Sequence, residues 1–206
     1  MTEKIIMGNE AIALGAIAAG VKVVSGYPGT PSTEIVEALL NEEGHDVKVQ
    51  WSTNEKVALE VAAGVAYTGA RAMVTMKQVG LNVASDPLMC LSYIGVEGGL
   101  VVAVADDPGP WSSQTEQDTR SFARHANLPV YDPSSPEEAY QMVQDAFELS
   151  EEFKLPVIVR PTTRVCHASS TVTLNDERKD IEPAGFEKKP DWCIFPALSY
   201  VKHGEL

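Results

Sequence analysis

Leu100-Val101-Val102-Ala103-Val104-Ala105 is an unbroken run of six apolar residues. A strand with apolar side chains on both faces is covered on both, as in the middle of a parallel sheet. Working outward, Ala72-Met73-Val74-Thr75-Met76 has the same character, and shorter strand signals lie at 21–26, 46–51, 128–131 and 156–160. Helix-period segments fill the gaps. One covers 10–19 and is closed by Gly20. The next is opened by Thr30-Pro31-Ser32-Thr33-Glu34, with Thr30 as N-cap and Pro31 at the first helical position. Others cover 55–68, the stretch after Gly80, and 115–125. Ser135-Pro136-Glu137-Glu138 is a capping box that starts a helix running to about 153. This alternation predicts a doubly wound α/β fold, a mainly parallel sheet flanked by helices. It stops near Val165, so residues 1–170 are expected to form the domain. Residues 171–206, polar and charged with Lys188-Lys189-Pro190-Asp191, are expected to be an extended arm or linker.

Composition narrows the class of function. The 206 residues are 44% hydrophobic, which suits one domain with a tail, and 29 acidic against 16 basic residues give a formal charge of −13. A chain so acidic has no general attraction for nucleic acid or anionic membranes. Neither is an expected partner. The first residues lack the apolar core of a secretory signal, and the longest uncharged apolar run, 11–21, is too short to span a bilayer. A cytoplasmic location is expected. Cys90, Cys166 and Cys193 form no Cys-x-x-Cys pair, and His45, His125, His167 and His203 show no ligand spacing, so no metal site is predicted within this chain.

In such a sheet, ligands sit at the carboxyl ends of the strands. Four loops should converge there: Gly26-Tyr27-Pro28-Gly29-Thr30-Pro31, Ser52-Thr53-Asn54-Glu55, Lys77-Gln78-Val79-Gly80, and the segment from Asp106 through Trp111 to Gln114. No Gly-x-Gly-x-x-Gly, phosphate loop or Gly-x-Ser-x-Gly elbow occurs among them. Glu55 stands out. It opens a helix that is small and apolar nearly all round, hence expected to be buried. A carboxylate held in a dry setting is a candidate for proton chemistry. An acid at this position also simply favours the helix dipole.

Taken together, Gly26-Tyr27-Pro28-Gly29-Thr30-Pro31-Ser32, Asn54-Glu55-Lys56-Val57-Ala58, Gly64-x4-Gly69-Ala70-Arg71 and Gln78-Val79-Gly80-Leu81-Asn82 resemble the pyrimidine-binding domain of the thiamine-diphosphate-dependent 2-oxoacid:ferredoxin oxidoreductases. The stretches 76–88, 104–109, 112–118 and 160–165 bring the resemblance nearest to the alpha subunits of the indolepyruvate enzymes. The resemblance implies that Glu55 hydrogen-bonds the aminopyrimidine ring nitrogen N1′ and so prepares the cofactor to lose its C2 proton. It implies that Gln78 and Gly80 approach the cofactor, and that Thr30, with Gly29 beside it, lies near the substrate. It also implies that Ser113 and Gln114 belong to a loop shaping the substrate pocket. For Arg71 the residues themselves suggest a structural ion pair.

In the complete enzymes of this family an arylpyruvate such as indolepyruvate, coenzyme A and oxidised ferredoxin would yield an arylacetyl-CoA, carbon dioxide and reduced ferredoxin. The chain has no Gly-Asp pair and no Cys-x-x-Cys. Thiamine diphosphate would therefore be shared with an absent domain, and Mg2+ and iron–sulfur clusters would belong only to absent parts. The implied partners are the diphosphate-binding domain, a beta subunit, ferredoxin and a second copy in a homodimer. The chain reads as an excised domain or a subunit of a split enzyme, inactive alone. Another 2-oxoacid such as pyruvate, or a non-catalytic interaction module of the same fold, are the competing expectations.

Overall fold

In the computed structural model, which describes residues 1–175 and 177–206, the elements are β1 (Thr2–Met7), α1 (Gly8–Ala18), β2 (Val23–Gly26), α2 (Thr33–Asn41), β3 (Lys48–Trp51), α3 (Glu55–Ala66), β4 (Ala72–Lys77), α4 (Gln78–Ile94), β5 (Leu100–Ala105), α5 (Thr119–Ala126), β6 (Val130–Tyr131), α6 (Pro136–Phe153), β7 (Val157–Val159), α7 (Thr163–His167), β8 (Ser169–Leu174) and α8 (Pro196–His203). Six strands pair in parallel in the order β3-β2-β4-β5-β7-β6. The run 100–105 is the fourth of these and is wholly buried. Its alternate side chains enter two cores. Leu100, Val102 and Val104 join Val74 and Met76 under α3, α4 and α5, while Val101 and Ala103 join Val24, Met73 and Val159 under α1, α2 and α6. The fold is thus the doubly wound α/β sheet that the strand–helix alternation predicts. Among the described residues no helix is long and apolar enough to cross a membrane.

Several boundaries differ from the sequence reading. The Thr30–Pro31 peptide is cis and α2 begins at Thr33. The Ser32 hydroxyl donates to the Gly29 carbonyl (2.8 Å) and the Gly29 N–H donates to the Thr33 hydroxyl (2.8 Å), so residues 29–32 form a turn rather than a first helical turn. α4 starts at Gln78, before Gly80, and α5 starts at Thr119, capped by Asp118. α3 keeps an exposed stripe at Val57, Glu60 and Gly64, so it is not buried all round within this chain. It is capped by Asn54, whose side chain accepts from the Val57 N–H (2.9 Å).

The segment beyond 170 is not a free arm in the structure. β8 spans the 170/171 boundary and pairs antiparallel with β1, a strand for which the sequence carried no clear alternation. Residues 177–206 then fold back along the amino ends of the sheet. Lys179 N–H donates to Ala18 (2.9 Å), Arg178 to the Val21 carbonyl (3.1 Å) and Gly185 N–H to Thr68 (3.0 Å). Trp192 stacks on Tyr67 with ring centroids 4.5 Å apart.

Candidate functional site

β2 leads into α2 on one face of the sheet, and the neighbouring β4 leads into α4 on the other. Where adjacent strands send their chains to opposite faces, a crevice opens at their carboxyl ends. The 27–32 turn and the Lys77–Gly80 segment form its walls. They meet closely: a Cβ on Gly29 would stand 2.9 Å from Lys77 Cγ and Cδ. Ser25 and Ser52 share a hydroxyl hydrogen bond (2.8 Å), tying the ends of β2 and β3 together beside it.

Glu55 is the first residue of α3. The free N–H groups and dipole of that helix end favour an anion there. The side chain is only 8% exposed, yet its carboxylate has no hydrogen bond or ion pair among the described residues. The adjacent Lys56 is engaged with Asp86 (3.0 Å) and Glu60 (4.0 Å). What lies against Glu55 is Gly80. A Cβ on Gly80 would come within 2.5 Å of Glu55 Oε1 and 2.8 Å of Cδ, so only glycine lets the acid occupy this position. Such a residue can hold a hydrogen bond to a ligand that enters the crevice.

Gln78 is fully buried, but its amide is committed to protein. Oε1 accepts from the Asp107 N–H and Nε2 donates to the Thr115 carbonyl, both at 2.5 Å. It clamps both ends of the 107–115 loop and lies two residues from Gly80. Ser113 is half-buried on that loop, its N–H donating to Asp107 Oδ2 (3.0 Å), while Gln114 is exposed. Thr30 is exposed at the lip of the crevice. The structure therefore gathers Glu55, Gly80 and Gln78, places Gly29 alongside through Lys77, and sets Thr30, Ser113 and Gln114 at the margin.

Sequence reasoning gave no role to the anchor beneath the loop. Asp106 is fully buried and accepts from Arg160 Nε (2.6 Å), the Thr119 N–H (3.0 Å) and the Thr119 hydroxyl (2.5 Å). Arg160 also reaches Asp132 (3.1 Å). The signal was an Asp pair directly after β5, the most apolar strand, and an Arg directly after β7. Burial alone would raise the Asp107 carboxyl. The Ser112 N–H, the Thr163 hydroxyl and the Trp111 N–H outweigh it and hold the group well below the usual carboxylate range. Hydrogen bonds from Arg120 likewise lower Asp118 to about 2. Among the described residues no cluster of His, Cys, Asp and Glu is arranged to hold a metal.

Fold and site together define an α/β ligand-binding domain with an unpartnered acid at a switch-point crevice. The family "pyruvate flavodoxin/ferredoxin oxidoreductase, thiamine diP-bdg" matches residues 14–192, and the chain belongs to it. The chain is 46% identical over 206 residues to the indolepyruvate oxidoreductase subunit IorA of Pyrococcus horikoshii, covering 97% of this chain and 32% of that one. It is 51% identical over 181 residues to the same subunit of Thermococcus kodakarensis, with 86% and 28% covered. It is 32% identical over 191 residues to the 2-oxoglutarate synthase subunit KorA of Methanothermobacter thermautotrophicus, with 87% and 50% covered. The chain thus spans about a third of the length of the IorA relatives it matches. In fold it is similar to a 2-oxoglutarate:ferredoxin oxidoreductase from Magnetococcus marinus solved with 2-oxoglutarate, coenzyme A and succinyl-CoA bound. The TM-score is 0.76 at 22% identity, covering 86% of this chain and 33% of that one.

Proposed function

We propose that this chain holds the aminopyrimidine end of thiamine diphosphate at Glu55 and serves as one part of an enzyme that oxidises an aryl 2-oxoacid to its CoA thioester with ferredoxin as acceptor. The observation that carries this reading is the buried carboxylate of Glu55, without a protein partner and set against a glycine in a switch-point crevice. Family membership and the 46–51% identity to subunits named for indolepyruvate support it. When bound, thiamine diphosphate supplies an electron sink for 2-oxoacid decarboxylation.

The chain's own residues act around that. Glu55 hydrogen-bonds the ring nitrogen, and the apolar α3–α4 contact beside it limits the water that competes for that bond. Gly80 and the clamped Gln78 shape the floor. Thr30 and Gly29 at the lip, with Ser113 and Gln114 on the loop, face the substrate. A partner domain would hold the diphosphate with Mg2+, and iron–sulfur clusters in other parts would supply the route for electrons to ferredoxin. A beta subunit and a second copy of this chain complete the cytoplasmic assembly.

The test is indolepyruvate-dependent reduction of a low-potential acceptor by the complete assembly, with thiamine diphosphate, Mg2+ and coenzyme A, wild type beside Glu55→Gln. Loss of proton handling at a positioned acid costs about 10²–10⁴-fold in rate. Undiminished activity in the variant would remove Glu55 from the mechanism. Wild-type turnover of pyruvate but not of indolepyruvate would keep the cofactor site and change the substrate.

A further inference from the structure

The sheet has a second place where neighbouring chains part. β5 and β7 run side by side, and their pairing continues one step past both strands. Asp106 bridges to Thr162, its N–H donates to the Pro161 carbonyl (2.9 Å), and the Thr163 N–H donates to the Asp106 carbonyl (2.9 Å). Beyond that step the chain after β5 goes toward α5 on one face, and the chain after β7 enters α7, which packs with α1 and α6 on the other. The parting opens a cavity of about 520 Å³ lined by Pro108, Gly109, Trp111, Thr162, Thr163 and Arg164. It has the position at which open α/β sheets bind ligands, but it is one strand removed from the Glu55 crevice.

Three features give this cavity a chemistry. Its frame is rigid: one carboxylate, Asp107, takes the N–H groups of Trp111, Ser112 and Ser113 on Oδ2 (3.0, 2.9 and 3.0 Å) and the Thr163 hydroxyl on Oδ1 (2.7 Å), bracing the two walls against each other. Its charge is free. Arg164 is exposed and its guanidinium has no hydrogen bond or ion pair among the described residues, whereas the Asp107 carboxylate stays ionised but is turned to its own four donors, and Glu116 accepts from the Gly109 N–H (2.9 Å). Its ring is bare. Trp111 is 82% exposed although its backbone is pinned. An indole held out at low entropic cost beside a guanidinium suits a ligand joining a flat ring to an anion, the ring stacking and the anion pairing with the fork of the arginine.

We propose that the cavity between the 107–113 and 161–164 segments is a second ligand site, for a small molecule carrying a planar ring and a carboxylate or phosphate. It does not depend on the role given to Glu55.

The test uses the full-length protein in its assembly. Binding of adenosine monophosphate, indole-3-acetate and inorganic phosphate is measured by calorimetry for wild type, Arg164→Gln, Trp111→Ala and Glu55→Gln. Both cavity substitutions are at exposed positions, and circular dichroism checks that they fold. One ring-bearing anion is expected to bind at least tenfold more tightly than phosphate. The nucleotide winning identifies a phosphate ligand, and the indole acid a carboxylate one. Arg164→Gln should weaken that binding tenfold or more, Trp111→Ala should bring it down to the level of phosphate, and Glu55→Gln should leave it unchanged. Failure of both ring compounds to bind at millimolar concentration would overturn the proposal. So would equal binding of phosphate, or binding indifferent to Arg164.

Discussion

Two buried charges stand at opposite ends of the sheet, and their surroundings differ in kind. At the amino end Arg71 is matched on every side: Nε and Nη2 make paired bonds to Glu151 (2.8 and 2.6 Å), Nη1 donates to the Ala19 carbonyl (2.8 Å), and the guanidinium lies 5.6 Å from the Phe147 ring centre. At the carboxyl end Glu55 is also largely buried, 8% exposed, and has none of this. A buried ion without partners costs stability. A fold keeps a fully matched ion for the sake of the fold. On the proposed function, the unmatched one is completed by a ligand from outside the chain.

The largest effects should separate these two roles. Arg71→Met leaves Glu151 facing an apolar neighbour and breaks a mostly buried pair. With Glu151 still partly in solvent, the expected loss lies at the lower end of the usual range, about 3 kcal/mol. It is read as a lower denaturation midpoint, with turnover per folded molecule unchanged. Glu55→Gln should do the reverse, holding or raising the midpoint while abolishing most activity. If both variants lost stability alike, the contrast would fail. Acid should sharpen it further. Burial would raise the Glu151 carboxyl, but the Arg71 bonds and charge outweigh that and lower it. Its folded value therefore sits below its unfolded one. Its contribution is fully present above the ordinary value of 4.5 and fades as pH drops through the folded value. Arg71→Met should flatten that part of the stability–pH curve.

Gly80→Ala probes the same contrast from the neighbour's side. The new methyl would overlap Glu55 Oε1, Cγ and Cδ, which belong to a movable side chain rather than to backbone. The carboxylate therefore swings aside at little cost to the fold, and alanine repays about 0.5–1 kcal/mol of helix propensity. A displaced acid is a poorer one: a shift near 1 Å can cost as much as about 100-fold in rate. The expected result is an unchanged midpoint with activity lowered about 10–100-fold. A large stability loss with normal activity per folded molecule would show that Gly80 serves packing alone.

How much of this was legible beforehand follows physical lines. The strand 100–105, the helix opening at Glu55 and the Ser135–Pro136 helix start are local patterns, and each lies where its residues predict. Glu55 could be singled out because an acid at the start of an apolar helix is a sequence signal, and Gly80 through the family resemblance. Their contact is a matter of how α3 packs on α4, which no spacing along one helix encodes. The pairing of β1 with β8 joins residues at opposite ends of the chain, and β1 alternates too weakly to announce itself. The docked tail was hidden for the same reason: polar residues and prolines read as linker whether or not backbone groups such as the Ala18 and Thr68 carbonyls await them. The Asp106–Arg160 anchor left its two halves in view at strand ends but not their pairing, because they sit 54 positions apart.

Gln78 is the case between the two extremes, polar and buried like Glu55 but fully matched like Arg71. Its amide closes both ends of the 107–115 loop. Gln78→Met keeps the volume and withdraws both bonds, leaving the Asp107 N–H and the Thr115 carbonyl to find water. The expected cost is about 1–3 kcal/mol, smaller than for Arg71 because no charge is uncovered. The loss should be local. Asp107 still gathers Trp111, Ser112 and Ser113, so the first half of the loop stays folded, while the bond around Thr115 becomes the place where limited proteolysis starts. If Gln78 acts only through the loop, substrate KM rises with thiamine diphosphate affinity unaltered. If instead cofactor affinity falls with the loop still protected from protease, the amide touches the cofactor and belongs with Glu55 on the functional side of the divide.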